Sequence, residues 1–332
     1  MKILIIRLSS IGDIILTQPI VKRLHEVFPQ AELHYLTKPQ FAILPEYFGV
    51  PLKVIPYSKT LGFHFSLSNK KYDYVFDLHA KFSTFLIKLA AGTALNFTYS
   101  KKHNLRKAIV NHKTEQSINS TLDLYQSALI TASTVLNKED LALSPEFPHL
   151  TIEQTELDQM SARLPKPDGK KVIALFPGAN HLTKRYPIES FLRVIQKAGD
   201  KYHYWLMGSK AETELTYQLN FDTADKSTDL GGRFNLEETI AAVAMSDLVI
   251  TNDSGPMHIA AALNKPQIAI FGATHPKLGF KPLNSNAHLL CKNIACQPCS
   301  LHGGEQCPLN TFACMKTIHP DELISQIKTI LR

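Results

Sequence analysis

The feature that most constrains the fold is an alternation of short apolar runs with amphipathic segments, which occurs twice along the chain. In the first half, strand-like character is found in KILIIRL, ELHYLTK and YDYVFDLH, and helical spacing in DIILTQPIVKRLHEVFP and STFLIKLAAG. The second half repeats this layout with VIALFPG, HYWLMGS, DLVITND and KPQIAIFG, separated by PIESFLRVIQKAG, NLEETIAAVAMS and GPMHIAAALN. Strands that are separated by helices form parallel sheets. The sequence therefore predicts an α/β protein with two Rossmann-like, doubly wound parallel-sheet domains facing a cleft.

A polar, proline-bearing segment, residues 143–171, separates the two halves, and its end LPKPDGKK is the best linker candidate. We expect an N-terminal domain over residues 1–160, a C-terminal domain over 170–316 and a final amphipathic helix over 317–332. Ligands of doubly wound sheets bind outside the carboxyl ends of the strands. The turns that follow strands are therefore where functional residues are expected.

Charge and hydropathy limit the class of partner. The net charge of +7 favours an anionic ligand. Much of the excess lies in KKHNLRKAIVNHK (101–113), which is either a solvated face or a landing patch for an acidic substrate or membrane lipid. Because the charge is local and no aromatic–basic motif accompanies it, a nucleic-acid partner is not expected. No apolar run approaches the ~18 residues of a membrane span, and ILII is too short for a signal peptide, so we expect a cytoplasmic protein.

Absent motifs and late cysteines narrow the chemistry further. The first strand is not followed by G-x-G-x-x-G, so a nicotinamide dehydrogenase is not expected, and the motifs G-x-x-x-x-G-K-[ST], H-E-x-x-H and G-x-S-x-G are also missing. Cys296, Cys299, Cys307 and Cys314 either bind a structural metal, with His302 nearby, or are free thiols that pack a loop.

The first strand ends in the turn SSIGD (9–13), where Gly12 permits a tight backbone and Asp13 falls at or near the N-cap of the next helix. Asp is among the most favourable N-caps. An acid at the carboxyl edge of a strand also faces the expected ligand, and the helix dipole keeps it ionised, as a general base requires. Asp13 is therefore either a cap or a catalytic base.

Two turns of the second half suggest an anion site. In FPGANHLTKRYP (176–187), Lys184 and Arg185 precede a helix start, where a phosphate would meet a cation and free N–H groups. In VITNDSGPMHIAAAL (249–263), Ser254 is a plausible N-cap and Gly255 lets the backbone approach a ligand. His258 could face the same ligand, whereas Asp253 would repel a phosphate and is expected to bind a hydroxyl or to orient Lys184 or His258. A surface basic pair and an ordinary capped helix are the alternatives.

Together these turns resemble the glycosyltransferase family that includes the ADP-heptose:lipopolysaccharide heptosyltransferases. The resemblance covers nearly the whole chain and is carried by RLSSIGDIILTQP, DLHAKFSTFLIKLAAG, FPGANHLTKRYP and TNDSGPMHIAAALNKPQIAIFG. The tail CQPCSLHGGEQCPLNTFACMKTIHPDEL is similar to the heptosyltransferase II branch.

The resemblance implies a GT-B fold with the acceptor on the N-terminal side, the nucleotide-sugar on the C-terminal side and a last helix that packs back on the N-terminal domain. It implies an inverting transfer with no metal and no cofactor. Asp13 matches the family's catalytic base and Lys184 its donor-phosphate lysine. The diphosphate motif matches Asp253, Ser254, Gly255 and His258. Other expected donor-side residues are Asn180, Glu212 at the ribose, and Phe234 and Asn235 near the adenine; expected acceptor-side residues are Ser9, Ser10, Gly12, His79 and Lys81.

The resemblance thus predicts transfer of a heptose from an ADP-sugar to an anionic, lipid-linked saccharide of the lipopolysaccharide inner core. Contact with the inner face of the inner membrane is a further expectation. The alternatives are a related glycosyltransferase with another nucleotide-sugar or acceptor, a GT-B-like sugar-nucleotide epimerase, and a non-catalytic nucleotide-sugar-binding homologue.

Overall fold

The computed structural model describes residues 1–92, 95–142 and 146–332, which form two compact units. The first unit comprises Met1–His103 and Asn119–Thr151, and the second comprises Asn104–Ile118 and Ile152–Arg332. Residues 143–145, where the predicted linker begins, lie outside the described residues. Its end, residues 164–171, lies within the second unit, where the indole of Trp205 donates a hydrogen bond to the Pro165 carbonyl at 2.8 Å.

The first unit contains a five-stranded parallel sheet in the order β3-β2-β1-β4-β5. Its strands are β1 (Lys2–Ile6), β2 (Glu32–Thr37), β3 (Lys53–Pro56), β4 (Tyr74–Asp77) and β5 (Leu95–Thr98). The helices are α1 (Ile11–Ile15), α2 (Gln18–Val27), α3 (Leu61–Ser68), α4 (Phe82–Ala91), α5 (His103–Val110), which continues into the second unit, and α6 (Thr121–Leu136). Short 3₁₀ helices span Pro39–Phe41, Leu44–Phe48 and Glu139–Ala142. Ile3 to Ile6 of the central β1 are fully buried, as in strands covered on both faces.

The second unit contains a six-stranded parallel sheet in the order β11-β10-β9-β6-β7-β8. Its strands are β6 (Lys171–Phe176), β7 (Tyr202–Leu206), β8 (Ser227–Asp229), β9 (Leu248–Asn252), β10 (Gln267–Phe271) and β11 (Ala287–Cys291). The helices are α7 (Gln154–Ser161), α8 (Ile188–Lys197), α9 (Thr213–Phe221), α10 (Leu236–Met245), α11 (Gly255–Ala262), α12 (Ala313–Lys316) and α13 (Pro320–Ile330), with 3₁₀ helices at Leu182–Lys184 and Lys210–Glu212. The prediction of two doubly wound parallel sheets is confirmed. Among the described residues, no helix is long and apolar enough to cross a bilayer.

The basic stretch 101–113 is divided between the units. Ile118 donates its N–H to the Lys277 carbonyl at 2.8 Å, and this bridge attaches the segment 104–118 to the second unit. Arg106 is buried, with its guanidinium 4.5 Å from the centre of the Phe280 ring. At least one cation of the stretch therefore packs inside the protein, whereas Lys102 and its neighbours Lys107 and Lys113 are exposed.

The first predicted helix, residues 13–29, is two helices. The helix α1 begins at Ile11, before Asp13, and α2 begins at Gln18 with Pro19 as its second residue. Proline lacks an N–H and its ring clashes with the preceding turn, so one continuous helix cannot pass through Pro19. The Thr17 hydroxyl donates to the Ile14 carbonyl at 2.6 Å at the break.

The final helix α13 has its apolar face in the core of the second unit. Leu323 and Ile327 are fully buried in the cluster that contains Phe191 of α8. This face of α13 is therefore covered by α8 within the same unit. The expectation that the helix packs back on the N-terminal domain stays a prediction.

We predict that Ile327→Ala lowers the free energy of unfolding of the second unit by about 2–5 kcal/mol, because it leaves a cavity in a fully buried cluster. Urea unfolding followed by circular dichroism measures the change. Ser325→Ala, at an exposed position of the same helix, is the control and is expected to change stability by less than about 0.5 kcal/mol. Equal effects of the two substitutions would contradict this placement of the helix.

Candidate active site

Asp13 lies at the carboxyl end of β1, in the first turn of α1. Ser10 occupies the N-cap position, and Asp13 is the third residue of the helix, so Asp13 is not the N-cap itself. Its Oδ2 accepts hydrogen bonds from the Ser10 backbone N–H at 3.2 Å and from the Ser10 hydroxyl at 3.0 Å. The carboxylate therefore satisfies an otherwise unpaired donor of the helix start, as the last residue of a capping box does.

Arg7 forms an ion pair with this carboxylate. Its Nη2 lies 2.7 Å from Asp13 Oδ2, and the two side chains are 8% and 19% exposed. The guanidinium also donates to the carbonyl of Leu78 at 2.5 Å, next to β4. On the other side of the carboxylate, the Tyr125 hydroxyl of α6 donates to Asp13 Oδ1 at 3.0 Å. Both carboxylate oxygens are thus held by donors from three residues of the first unit, Arg7, Ser10 and Tyr125.

The protonation of Asp13 follows from these contacts. Burial alone would raise the pKa of Asp13, but the Arg7 charge and the hydrogen bonds from Ser10 outweigh it and lower the pKa to about 2. Asp13 is therefore ionised at neutral pH. The Asp13 side chain is 19% exposed, so it is not fully enclosed by the protein.

The turn after β4 places a neutral histidine beside this pair. Asp77 Oδ1 accepts the backbone N–H groups of His79 and Ala80, at 3.0 and 2.8 Å, so the Asp77 carboxylate shapes the turn. Burial, together with the charges of Arg7 and Lys81, lowers the pKa of His79 to about 3. His79 is buried, and its Nδ1 has no hydrogen-bond partner among the described residues. A buried, unpaired ring nitrogen is able to bind a ligand hydroxyl.

Two lysines add positive charge to the same edge of the sheet. Lys81 follows the His79 turn and is exposed at the N-cap position of α4. Burial, followed by the repulsion of the nearby charges of Arg7 and Lys81, lowers the pKa of Lys101. The expected acceptor-side residues Ser9, Ser10, Gly12, His79 and Lys81 thus lie after the neighbouring strands β1 and β4. Clustered cations of this kind favour an anionic ligand.

In the second unit, a lysine and a carboxylate meet at the carboxyl ends of β6 and β9. Lys184 Nζ lies 2.8 Å from Asp253 Oδ2, and the two side chains are 16% and 8% exposed. The same oxygen accepts the Thr274 hydroxyl at 2.7 Å. Asp253 therefore orients the ammonium, which retains further donors for a ligand.

Ser254 is the N-cap residue of α11, but its side chain does not cap the helix. The hydroxyl donates instead to the carbonyl of Asn252 at 3.2 Å. Gly255 begins the helix and His258 is buried in its fourth position. The Asn252 amide donates to the carbonyls of Pro177 and Gly178 and holds the turn after β6 next to this helix start. Such a start is suited to an anion.

The remaining donor-side residues are more dispersed. Glu212 lies against the turn after β6, since a Cβ added at Gly178 would collide with its carboxylate, and its Oε2 accepts the N–H of Ser209 at 2.9 Å. Asn180 is exposed in that turn. Asn235 is the N-cap of α10 and its Oδ1 accepts the Glu238 N–H at 2.8 Å, so this amide oxygen has a structural role. The neighbouring Phe234 ring lies 5.6 Å from the Arg163 guanidinium.

The cysteines are all free thiols: Cys291, Cys296, Cys299, Cys307 and Cys314. Cys314 is buried in the core that contains Met315 and Ile318. In the described part of the chain, no group of three or more His, Cys, Asp or Glu side chains has the arrangement to hold a metal ion.

Sequence reasoning missed three side chains that organise these sites: Arg7, Tyr125 and Thr274. Arg7 carried a signal, because an arginine that follows four apolar residues at the end of a central strand must have a buried partner. Tyr125 and Thr274 carried none, because they are 112 and 21 residues from the carboxylates that they contact.

The lowered pKa of Asp13 predicts a pH-dependent contribution to stability. This contribution is present above the ordinary pKa of 3.8 and is lost as the pH falls toward 2. We expect the difference in unfolding free energy between wild type and Asp13→Asn to be constant above about pH 5 and to narrow by about 1 kcal/mol at about pH 3. Urea unfolding at both pH values tests this, with Asp123→Asn, at an exposed position, as the control. If the difference in unfolding free energy between wild type and Asp13→Asn is the same at both pH values, the pKa of Asp13 is not lowered.

Comparison with known proteins identifies the family to which the chain belongs. The family model for glycosyltransferase family 9 (heptosyltransferase) matches residues 62–309. Lipooligosaccharide heptosyltransferase 2 of Campylobacter jejuni is 34% identical over 170 residues, and the match spans about half of each protein, 50% of this chain and 52% of the relative. Lipopolysaccharide heptosyltransferase 2 of Escherichia coli K12 is 25% identical over 310 residues, which cover 87% of this chain and 88% of the relative.

Solved structures agree on the fold. The structure of the E. coli ADP-heptose lipopolysaccharide heptosyltransferase II superposes with a TM-score of 0.80 at 23% identity, and the match covers 100% of this chain and 98% of that one. This likeness establishes the GT-B fold that the sequence resemblance implied. The family model covers well over half of the residues, and the chain therefore belongs to glycosyltransferase family 9 (heptosyltransferase).

Proposed function

We propose that the protein transfers a heptose from ADP-heptose to an anionic saccharide of the lipopolysaccharide inner core, with inversion of the anomeric centre and without a metal ion. The observation that carries the proposal is the Asp13 carboxylate, held ionised at the carboxyl end of β1 by Arg7, Tyr125 and Ser10. The names of the relatives support the donor and acceptor class, since they include ADP-heptose and lipopolysaccharide.

In this proposal, the first unit binds the acceptor and Asp13 takes the proton of the attacking hydroxyl. His79 is neutral and offers its buried Nδ1 to an acceptor hydroxyl. Lys81 and Lys101 attract the negative charges of the acceptor. No bond to the protein forms, because an inverting transfer proceeds in one displacement at the anomeric carbon.

A carboxylate with a pKa of about 2 is a weak base in the free protein. We expect acceptor binding to raise this pKa. Negative groups of the acceptor beside Arg7 and Lys101 offset the positive charge that lowers the pKa of Asp13. The carboxylate then becomes more basic when the hydroxyl is present. The same charge that keeps Asp13 ionised before binding is thus partly neutralised during turnover.

The second unit binds the donor and stabilises the departing diphosphate. Negative charge develops on the ADP oxygen as the glycosidic bond breaks, so donors aimed at that oxygen lower the barrier. Lys184 is fixed by Asp253 and keeps donors free for a phosphate, and the start of α11 at Ser254 and Gly255 supplies backbone N–H groups. In the proposal, Glu212, which contacts the turns after β6 and β7, accepts the ribose hydroxyls.

A donor screen tests the reaction. With a deep-rough lipopolysaccharide acceptor, we expect transfer from ADP-heptose, much less from other ADP- and UDP-sugars, and no loss of activity in EDTA.

Asp13→Asn is expected to lower kcat at least about a thousandfold with little change in ADP affinity. Asp123→Asn is the matched control. Transfer from another nucleotide-sugar only, or turnover that survives Asp13→Asn, would contradict the proposal.

The donor-binding role of Lys184 has a close internal control. Lys184→Met is expected to weaken ADP binding about 10–100-fold, because it removes a charge-assisted hydrogen bond to phosphate. Lys226 is also paired with an aspartate, Asp200 at 2.9 Å, and is 19% exposed, so Lys226→Met should leave ADP affinity unchanged. Titration calorimetry measures both. Because Lys184→Met leaves the buried Asp253 without its cation, Lys184→Arg is included, and it should retain much of the affinity if charge is what matters. An unchanged affinity in Lys184→Met would rule out this role.

A further inference from the structure

The helix α4 presents an apolar face to solvent. Phe82, Phe85, Leu86 and Leu89 are 83%, 57%, 49% and 70% exposed. They follow one another at i, i+3, i+4 and i+7, which is the spacing of the face that a helix normally buries. The opposite side of the same helix is buried through Thr84, Ile87 and Ala91. Both sides of α4 are thus built for burial, and one of them is uncovered.

The neighbouring helix α3 extends this surface. Leu61 and Phe65 are 79% and 70% exposed and lie one turn apart on α3, which packs against α4. The rings of Phe82 and Phe85 stack with their centres 6.4 Å apart. We define the α3–α4 face as these six side chains: Leu61, Phe65, Phe82, Phe85, Leu86 and Leu89. Several large exposed apolar side chains on two helices that pack together are typical of an interaction surface.

The charged residues around the α3–α4 face indicate what kind of partner it binds. Residues 47–72 and 78–103, which contain both helices and belong to the first unit, carry eight Lys and no Asp or Glu. Lys59 and Lys71 flank α3, Lys81 precedes α4, and all three are exposed. A second copy of the chain would bring the same positive charges into contact, which disfavours self-association. Aromatic and leucine side chains bordered by lysines are typical of surfaces that lie in the interface of an anionic membrane.

We propose that the α3–α4 face docks on an anionic lipid bilayer, with its phenylalanine and leucine side chains in the headgroup region and the flanking lysines on lipid phosphates. This surface adjoins the acceptor site, because α4 begins three residues after the turn residue His79. A lipid-linked acceptor would then reach Asp13 from the membrane, and this consequence rests on the proposed function.

Vesicle sedimentation tests the docking surface with the full chain and without donor or acceptor. We expect binding to vesicles of phosphatidylglycerol and phosphatidylethanolamine, weakening at high salt, and little binding to phosphatidylcholine vesicles. Phe82→Ser with Phe85→Ser should lower the affinity at least about tenfold, because two rings no longer enter the headgroup region. Lys71→Gln should lower it by about fivefold.

The second unit offers a matched control. Tyr217 and Phe221 of α9 are also an exposed ring pair, 57% and 73% exposed with ring centres 6.3 Å apart, and Tyr217→Ser with Phe221→Ser should not change vesicle binding. Phe82→Trp gives a direct readout, since quenching by brominated lipid reports insertion, and the native Trp205 is fully buried. Phe221→Trp should not be quenched.

Three results would overturn the docking surface. They are wild-type protein that does not bind anionic vesicles, an α3–α4 variant that binds them as wild type does, and a dimer in ultracentrifugation that the α3–α4 variant abolishes. The outcome is separate from that of the proposed reaction. Vesicle binding without heptose transfer would contradict only the proposed reaction, whereas transfer to detergent-dispersed acceptor without vesicle binding would contradict only the docking surface.

Discussion

The ion pair between Arg7 and Asp13 is the interaction on which the site of the first unit depends. One guanidinium joins the end of β1 to the first turn of α1 and to the Leu78 carbonyl after β4. Burying two charges is unfavourable by several kcal/mol for each ion, and a hydrophobic pair of similar volume is often equally stable. The pair is therefore poorly explained by stability alone. It is well explained if the fold has to present an ionised carboxylate at a fixed position.

The second unit also contains an ion pair, between Lys184 and Asp253, but there the cation and the carboxylate have exchanged roles. There the cation Lys184 is the group left available to a ligand, and the carboxylate of Asp253 is more buried and is held by Thr274. An ammonium has three donors in a flexible arrangement, so it can keep its carboxylate and still bind a phosphate. A guanidinium fully engaged by carboxylate and carbonyl, such as Arg7, is better suited to fixing its partner. The choice of cation in each unit thus follows from which member of the pair meets the ligand.

The sequence predicted those parts of the fold that depend on local pattern. Buried strands such as β1 and β9 and helices such as α4 and α8 were found because periodicity and end signals are properties of a few neighbouring residues. The edge strands β3, β5, β8 and β11 were not predicted, because they are only partly buried and lack a continuous apolar run. The break before α2 could have been predicted from Pro19. The assignment of residues 104–118 to the second unit could not have been predicted. It depends on the hydrogen bond from the Ile118 N–H to the Lys277 carbonyl, 159 positions further along the chain.

In the candidate site, too, local pattern was predictable from the sequence and tertiary contacts were not. Asp13, Lys184 and the NDSG turn were found because strand-end turns are recognisable in a sequence, whereas Tyr125 and Thr274 are defined only by tertiary contact. The helix α4 shows the converse limit. Its apolar residues predict a helix correctly, but periodicity alone does not distinguish a face that packs on a sheet from one that remains exposed. A helix that is apolar on both sides needs two partners. Within the described chain the sheet supplies one, and the surrounding lysines indicate that the other is an anionic surface.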